Sequence, residues 1–380
     1  MAAKTVGIIG AGASGCIAAY YLIKSGFDVT LFDYSSPLRT ILPTGGGRCN
    51  FAHGEYDFKE LAKNYPRGEK FLFSVFSRFS TYETLSLFKE LGIKTYMQDD
   101  KRFFPVSNDS KEVRSKILDK IKKSNFIKEE VNSISKLDNG YKIKTNKSEY
   151  YFPQIIIATG GGLKSKQILG LEHKIIPYKP SLVGLKTQIN PELSGLVLKE
   201  VYNKECKLTD DLLFTHFGVS GPLIYKISSI KARENFPYKL TFDLYNKELD
   251  FQSLLNSNPH KDLKNILSLI FPNRFAEFLS KEYSSTKACN INGKIRDLIL
   301  NKIHNYEVEI TGTDKGEETV TSGGFDLNEI NPKTMESKLY PNLYIIGEAL
   351  DIDGFCGGFN LQNAWSTAFI ATESIITSRI

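Results

Sequence analysis

The residues with the most chemistry per position are glycines set at the ends of apolar runs. Gly10, Gly12 and Gly15 stand in Val6-Gly-Ile-Ile-Gly-Ala-Gly-Ala-Ser-Gly15, where a short apolar run passes straight into a helical pattern marked by Ala18, Ala19, Leu22 and Ile23. In such a turn Gly10 permits the sharp bend, Gly12 lets backbone approach a pyrophosphate, and Gly15 lets helix and strand pack closely. The helix N-terminus, with Ala13 and Ser14 in its first turn, then faces an anion. The next apolar run, Val29-Thr-Leu-Phe, ends on Asp33. That places an acidic side chain about 20 residues past the glycines, the spacing at which it meets an adenosine ribose hydroxyl.

Three more glycine segments follow. Thr44-Gly45-Gly46-Gly47-Arg48-Cys49-Asn50 is poor material for helix or strand, so it is expected as a loop whose N–H groups meet ligand oxygens. Arg48 adds a cation, with Cys49 and Asn50 beside it. Gln154-Ile-Ile-Ile-Ala158-Thr159-Gly160-Gly-Gly reads as a buried parallel strand ending where a flat or anionic ligand lies against backbone. Finally, Leu343-Tyr-Ile-Ile-Gly347-Glu348 ends a strand, a glycine-rich loop holds Asp351 and Gly358, and a helix opens near Asn360 and Leu361. The positive end of that helix suits the electron-rich pyrimidine edge of a flavin, while Glu348 and Asp351 are expected to hold a ribityl hydroxyl or the loop itself. Glycine-ended strands far apart in the chain, aimed at one ligand, point to FAD rather than to a plain nicotinamide fold.

The elements that must position these corners follow from composition and period. A chain of 380 residues predicts two or three domains, and 41% hydrophobic with 24% charged residues excludes a disordered chain. The five cysteines form no CxxC pair, so neither a metal site nor a disulfide framework is expected, and a reducing compartment is. The first strand starts at once after Met-Ala-Ala-Lys and no apolar run approaches a membrane span, so the expected location is cytoplasmic, with no membrane partner. Residues 111–149 carry 11 Lys and Arg against 6 Asp and Glu, either a solvated surface or a face that attracts a polyanion.

Helical spacing predicts two helices between Phe58 and Leu91 and another from Ser110 to Ile121. An antiparallel meander should begin at Val131, itself a candidate cofactor contact, and turn at Asp138-Asn-Gly140. From Pro180 to Phe325 strands alternate with a helical stretch at 251–303. The expected fold is α/β, a Rossmann-like FAD-binding fold (1–180 and 326–380) interrupted by an inserted β-rich domain (181–248 and 306–325) that carries a small helical subdomain (249–305).

With Gly45-Gly-Gly-Arg-Cys-Asn50, Phe104-Pro-Val106, Phe214-Thr-His-Phe-Gly-Val-Ser-Gly-Pro222, Thr334-Met-Glu-Ser337 and Gly347-Glu-Ala-Leu-Asp-Ile-Asp-Gly354, the chain resembles the BaiN/RdsA-type family of NAD(P)/FAD-dependent flavoproteins. The resemblance runs from the first strand to the last helix. It implies an FAD fold interrupted by a β-rich domain, and a flavin that accepts or delivers hydride. Family activities include reduction of an activated double bond in steroid-like substrates, oxidation of a small amino ketone, and reduction of a ribosomal RNA uridine. The chain departs from the family pattern after Gly161, where Gly162-Leu-Lys-Ser-Lys-Gln-Ile replaces a longer loop.

The leading expectation is therefore an FAD-dependent oxidoreductase reducing an activated C=C bond of a small molecule. With a single GxGxxG, NADH or NADPH is expected to visit the flavin only transiently. Cys49 and His216 are the candidate proton donors. The alternatives are a ribosomal RNA uridine reductase, a flavin-dependent oxidase of a small amine, and a flavin-binding module without turnover.

Overall fold

The computed structural model describes residues 4–162, 170–314 and 320–378. The chain divides into two compact units, Met1–Lys179 with Val320–Ile380, and Pro180–Thr319. The continuation of the shortened loop past Gly162 lies, as far as residue 169, outside the described residues.

The first unit is built on a five-stranded parallel sheet in the order Leu343–Ile345, Ile155–Ile157, Thr5–Ile9, Asp28–Phe32, Asn125–Ile127. The three central strands are almost continuously apolar because both faces of the sheet are covered. Pairing of Gly7 with Thr30 and Ile9 with Phe32 fixes one face. A meander of Val131–Leu137, Gly140–Thr145 and Glu149–Phe152 covers it: a Cβ on Gly7 would stand 2.7 Å from the Phe152 ring, and Tyr150 and Phe152 both pack edge-on to Phe32. The alternate residues Val6, Ile8, Val29 and Leu31 are buried on the opposite face, where the Ala13–Lys24 helix crosses. That helix packs against the terminal helix Phe359–Thr377 and against Ser110–Ile121.

This arrangement separates the lysines of the basic stretch. Lys116, Lys120 and Lys123 recur along the exposed side of or just beyond the Ser110–Ile121 helix, whereas Lys136, Lys142 and Lys144 belong to the meander on the other side of the sheet. They form no single face.

Two expectations are corrected here. The Phe58–Leu91 stretch forms three helices, Phe58–Ala62, Glu69–Phe76 and Thr81–Glu90, because Ser80 and Glu83 make a capping box that starts the last one. The strand Val320–Phe325 belongs with the first unit, since it pairs with Ile175–Ser181 and lays Gly323 against the Pro177 carbonyl, 2.6 Å from where a Cβ would stand.

The second unit carries a seven-stranded sheet in the order Tyr306–Ile310, Tyr238–Asp243, Val197–Asn203, Leu208–Thr215, Gly218–Ser220, Leu185–Lys186, Gly312–Thr313, antiparallel throughout. Its helices between Phe251 and His304 bury Phe251, Phe275 and Ile299 in the same core as Phe214, Leu240 and Phe242 of the sheet, so the helical stretch shares one interior with the strands. No described helix is long and apolar enough to cross a membrane.

Candidate functional site

At the first glycine turn the three glycines play different parts. Gly10 has φ +103°, and a Cβ there would stand 2.2 Å from the Ala158 carbonyl oxygen; one on Gly15 would stand 2.0 Å from the Gly10 carbonyl oxygen. These two positions are closed by backbone. Gly12 faces open ground, its nearest neighbour Thr40 Oγ1 at 3.8 Å. Behind it the Ala13–Lys24 helix begins with no capping side chain and no acidic residue in its first turn, so its N–H groups and the positive end of its dipole suit an anion.

Asp33 holds the turn in place. One carboxylate oxygen accepts the Ala11 N–H at 2.9 Å, and the other accepts the N–H and O–H of Ser35, each at 2.8 Å. The first oxygen, which accepts one bond, keeps lone-pair capacity, and Asp33 lines a cavity of about 220 Å³ with Gly10, Phe32, Glu130, Val131 and Thr159. Thr159 Oγ1 is buried and meets no hydrogen-bond partner, so a polar group at this cavity is left for a ligand to satisfy. Ala158 ties its strand to the first by donating its N–H to the Ile9 carbonyl at 2.8 Å, and Gly160 beyond it has φ +72° with open space where a Cβ would stand.

The last strand closes on the same corner. A Cβ on Gly347 would stand 2.6 Å from Ser14 Oγ, so the turn after Leu343–Ile345 sits directly on the first turn of the Ala13–Lys24 helix. Glu348 accepts the Thr321 N–H at 3.0 Å and its O–H at 3.3 Å, and burial pushes its carboxyl above the usual carboxylate range. Asp351 accepts the Gly323 N–H at 3.1 Å. Both acids thus tie the loop to the Val320–Phe325 strand.

The other glycine loop is bound to the terminal helix. Gly45, Gly46 and Gly47 all have positive φ, as does Cys49 at +63°. The Cys49 side chain is fully buried and its thiol is pushed up to about 12 by desolvation, so it stays protonated at neutral pH, shielded from solvent. Arg48 donates from Nε to the Gly45 carbonyl at 3.1 Å and lays its guanidinium over the Phe104 ring at 4.2 Å. The Asn50 amide, oriented to satisfy both ends, donates to the Ala52 and Phe103 carbonyls at 3.1 and 3.2 Å and accepts the Gly358 N–H at 3.0 Å. A Cβ on Gly358 would stand 2.6 Å from Ala52 backbone. Asn360 closes its own loop through two 2.8 Å bonds with the Gly354 backbone, and half-buried Leu361 packs on the core. Arg67 meets the fully buried Asp353 in a two-pronged ion pair. The 19-residue helix that follows starts at Gly358, again with no capping side chain and no acid in its first turn.

Of the two candidate proton donors, Cys49 lies in the first unit beside this loop. His216 is exposed in the second unit, in the turn between Leu208–Thr215 and Gly218–Ser220, with its ring edge-on to Phe217. Sequence reasoning passed over His53. Its ring stacks on Phe359 with centroids 4.7 Å apart, and its Nδ1 is buried without a partner. The available signal is its place directly after the Gly45–Asn50 loop.

Four glycine-ended segments, two uncapped helix N-termini and an orphaned threonine hydroxyl, all in one unit with a five-stranded parallel sheet, define a Rossmann-type α/β protein. The chain belongs to the family described as "HI0933-like protein Rossmann domain", matched over residues 4–374. It is 31% identical, over 97% of both chains, to the ribosomal RNA dihydrouridine synthase of Haemophilus influenzae, and 29% identical, over 98% of both, to the protein of that name from Escherichia coli. It is also 25% identical, over 96% of this chain and 97% of the other, to the 3-dehydro-bile acid delta(4,6)-reductase of Clostridium scindens.

Proposed function

We propose that this chain is an FAD-dependent oxidoreductase that reduces a carbon–carbon double bond conjugated to a carbonyl, and that the bond is the C5=C6 bond of a uridine in ribosomal RNA. The cofactor rests on one observation above all: Thr159, with an unsatisfied buried hydroxyl, lines the same cavity as Gly10 and Asp33. Gly10, Gly12, Ala13, Ser14, Gly15, Asp33, Val131, Ala158, Thr159 and Gly160 would hold the adenosine and pyrophosphate. Gly47, Arg48, Cys49, Asn50, Gly347, Glu348, Asp351, Gly358, Asn360 and Leu361 would frame the rest, with the start of the Phe359–Thr377 helix at the pyrimidine edge. When bound, FAD supplies the hydride; NADH or NADPH is the proposed source of electrons.

The substrate rests on the two dihydrouridine synthases that match end to end. The separated lysines add nothing to it. The small-molecule reading, an enone in a steroid-like ring, is favoured by the bile acid reductase, which also matches over nearly its whole length. Both substrates pose the same problem, delivery of hydride to the carbon β to a carbonyl. Cys49 is a poor source of the second proton, because its thiol is buried and held well above neutral pH.

The deciding experiment is mass spectrometry of ribosomal RNA nucleosides from wild-type and deletion cells, with metabolites compared in parallel. Loss of a dihydrouridine in the deletion strain is expected. Unchanged dihydrouridine with an accumulated enone overturns the RNA substrate in favour of the small molecule, and a purified protein that takes up no FAD overturns both.

A further inference from the structure

We infer that His53 is a catalytic residue that donates a hydrogen bond to the carbonyl oxygen of the substrate, polarising the double bond that receives hydride. The inference rests on the double-bond reduction proposed above.

His53 stands where the two loops proposed to frame the flavin come together. It ends the short strand Ala52–His53, whose partner strand Arg102–Pro105 sets His53 opposite Arg102, and its carbonyl accepts the Thr81 hydroxyl at 3.0 Å. Its ring lies on Phe359, the first residue of the terminal helix. Its Cδ2 is 3.5 Å from where a Cβ on Gly357 would stand, so the Cδ2–Nε2 edge faces the glycine loop. Nδ1, on the other edge, is buried without a partner. A buried N–H with no acceptor is avoided when the proton sits on Nε2, which leaves the donor on the accessible edge beside Gly357. Burial and the charge of Lys101 lower the basicity of the ring, while Glu55 and Asp100 oppose them less strongly. A neutral imidazole is an unsuitable proton donor to carbon but a suitable electrophile for a carbonyl, since its N–H strengthens its hydrogen bond as negative charge grows on the acceptor. Neighbouring groups are less available, with Cys49 buried and Arg48 bonded to Gly45 and stacked on Phe104.

Hydride, two electrons and one proton, would leave an N–H bond of the reduced flavin, which is thereby oxidised, and add to C6 of the uracil ring; the C5=C6 π electrons move to C4–O as an enolate, whose oxygen accepts the Nε2–H of His53. A proton from water then adds to C5, the carbonyl re-forms, and a nicotinamide supplies the next two electrons.

The test uses FAD-loaded protein reduced beforehand with NADPH or dithionite and mixed in a stopped-flow instrument with unmodified ribosomal RNA, or with 2-cyclohexenone as the small probe. His53→Ala is expected to slow reoxidation by substrate about 100-fold, as loss of one such donor does elsewhere, with KM changed by less than about threefold. His53→Gln, which keeps an N–H donor, should recover part of the rate. FAD content, visible spectrum and thermal melting should match wild type in both variants. Difference infrared of oxidised protein with a uridine oligomer labelled at the C4 carbonyl should show a lowered stretching frequency that His53→Ala removes. Wild-type reoxidation with equal rates in His53→Ala overturns the role of His53 alone. Wild-type protein reoxidised by neither probe overturns the proposed reaction, and His53 with it.

Discussion

The two glycine corners of the first unit, residues 10–15 and 354–360, both deliver an uncapped helix N-terminus, yet they are held by different forces. At the first, backbone does the holding: Gly10 and Gly15 sit against carbonyl oxygens with no space for a methyl group. At the second, polar side chains do it: Asn50 reaches Gly358 and Arg67 reaches Asp353 from distant parts of the chain, while Asn360 closes its own loop on Gly354. The first corner is therefore specified by what is missing at a few positions. The second depends on partners some 300 residues away in the chain, and should fail when any one of them is removed.

The largest effect is expected from Arg67→Ala, which leaves the fully buried Asp353 carboxylate without its cation and should cost about 3–5 kcal/mol in urea unfolding. Replacing the pair together by apolar residues of similar volume should recover most of the loss; if the double variant is no better than the single, the second corner is not held by this pair. Gly10→Ala breaks the first corner by driving a methyl group into the Ala158 carbonyl in a left-handed conformation, at roughly 3 kcal/mol, with loss of bound FAD measured by flavin absorbance. Asn50→Ala leaves the Gly358 N–H unpaired and should cost about 1–3 kcal/mol. Gly12→Ala sharpens the contrast, because its Cβ enters open space: stability should change by no more than about 0.5 kcal/mol while FAD affinity falls. If Gly12→Ala binds FAD as wild type does, the ground in front of the helix is not where the pyrophosphate lies.

A pH dependence is expected at the second corner as well. The Cys49 thiol is raised from 9.0 to about 12 on folding, so the fold favours its protonated form, and the stability this contributes is present below about pH 9 and is lost as pH rises toward 12. Other buried thiols and phenols titrate in the same range, so the measurement is the difference in melting temperature between wild type and Cys49→Ala, which should narrow with rising pH. Iodoacetamide at pH 8 should label exposed Cys289 and spare Cys49 until the protein unfolds.

The parallel sheet and its glycine corners were legible because each signal is local: an apolar run, then a turn that only glycine enters, then a helical period. The capping box at Ser80 and Glu83 was equally local, but the phenylalanines on either side of it obscured the break. What could not be read was whatever depends on a partner remote in sequence. Ser322-Gly-Gly324 looks like any inserted strand until Ile175–Ser181 lies beside it. That Glu348 and Asp351 bond Thr321 and Gly323 could not be read from their own segment. A single histidine in Ala52-His53 has no period at all, and only the approach of Gly357 and Phe359 distinguishes His53 from a surface residue.

The seating of Gly347 on Ser14 joins the first helix of the chain to a strand made near its end. During synthesis, then, the opening glycine turn must wait, with its sheet incomplete and Ile155–Ile157 left as a bare edge, until Leu343–Ile345 has left the ribosome. The Pro180–Thr319 unit, continuous in the chain, has no such delay. A nascent chain halted before Leu343 should accordingly protect that middle segment from protease while its opening strands are still digested.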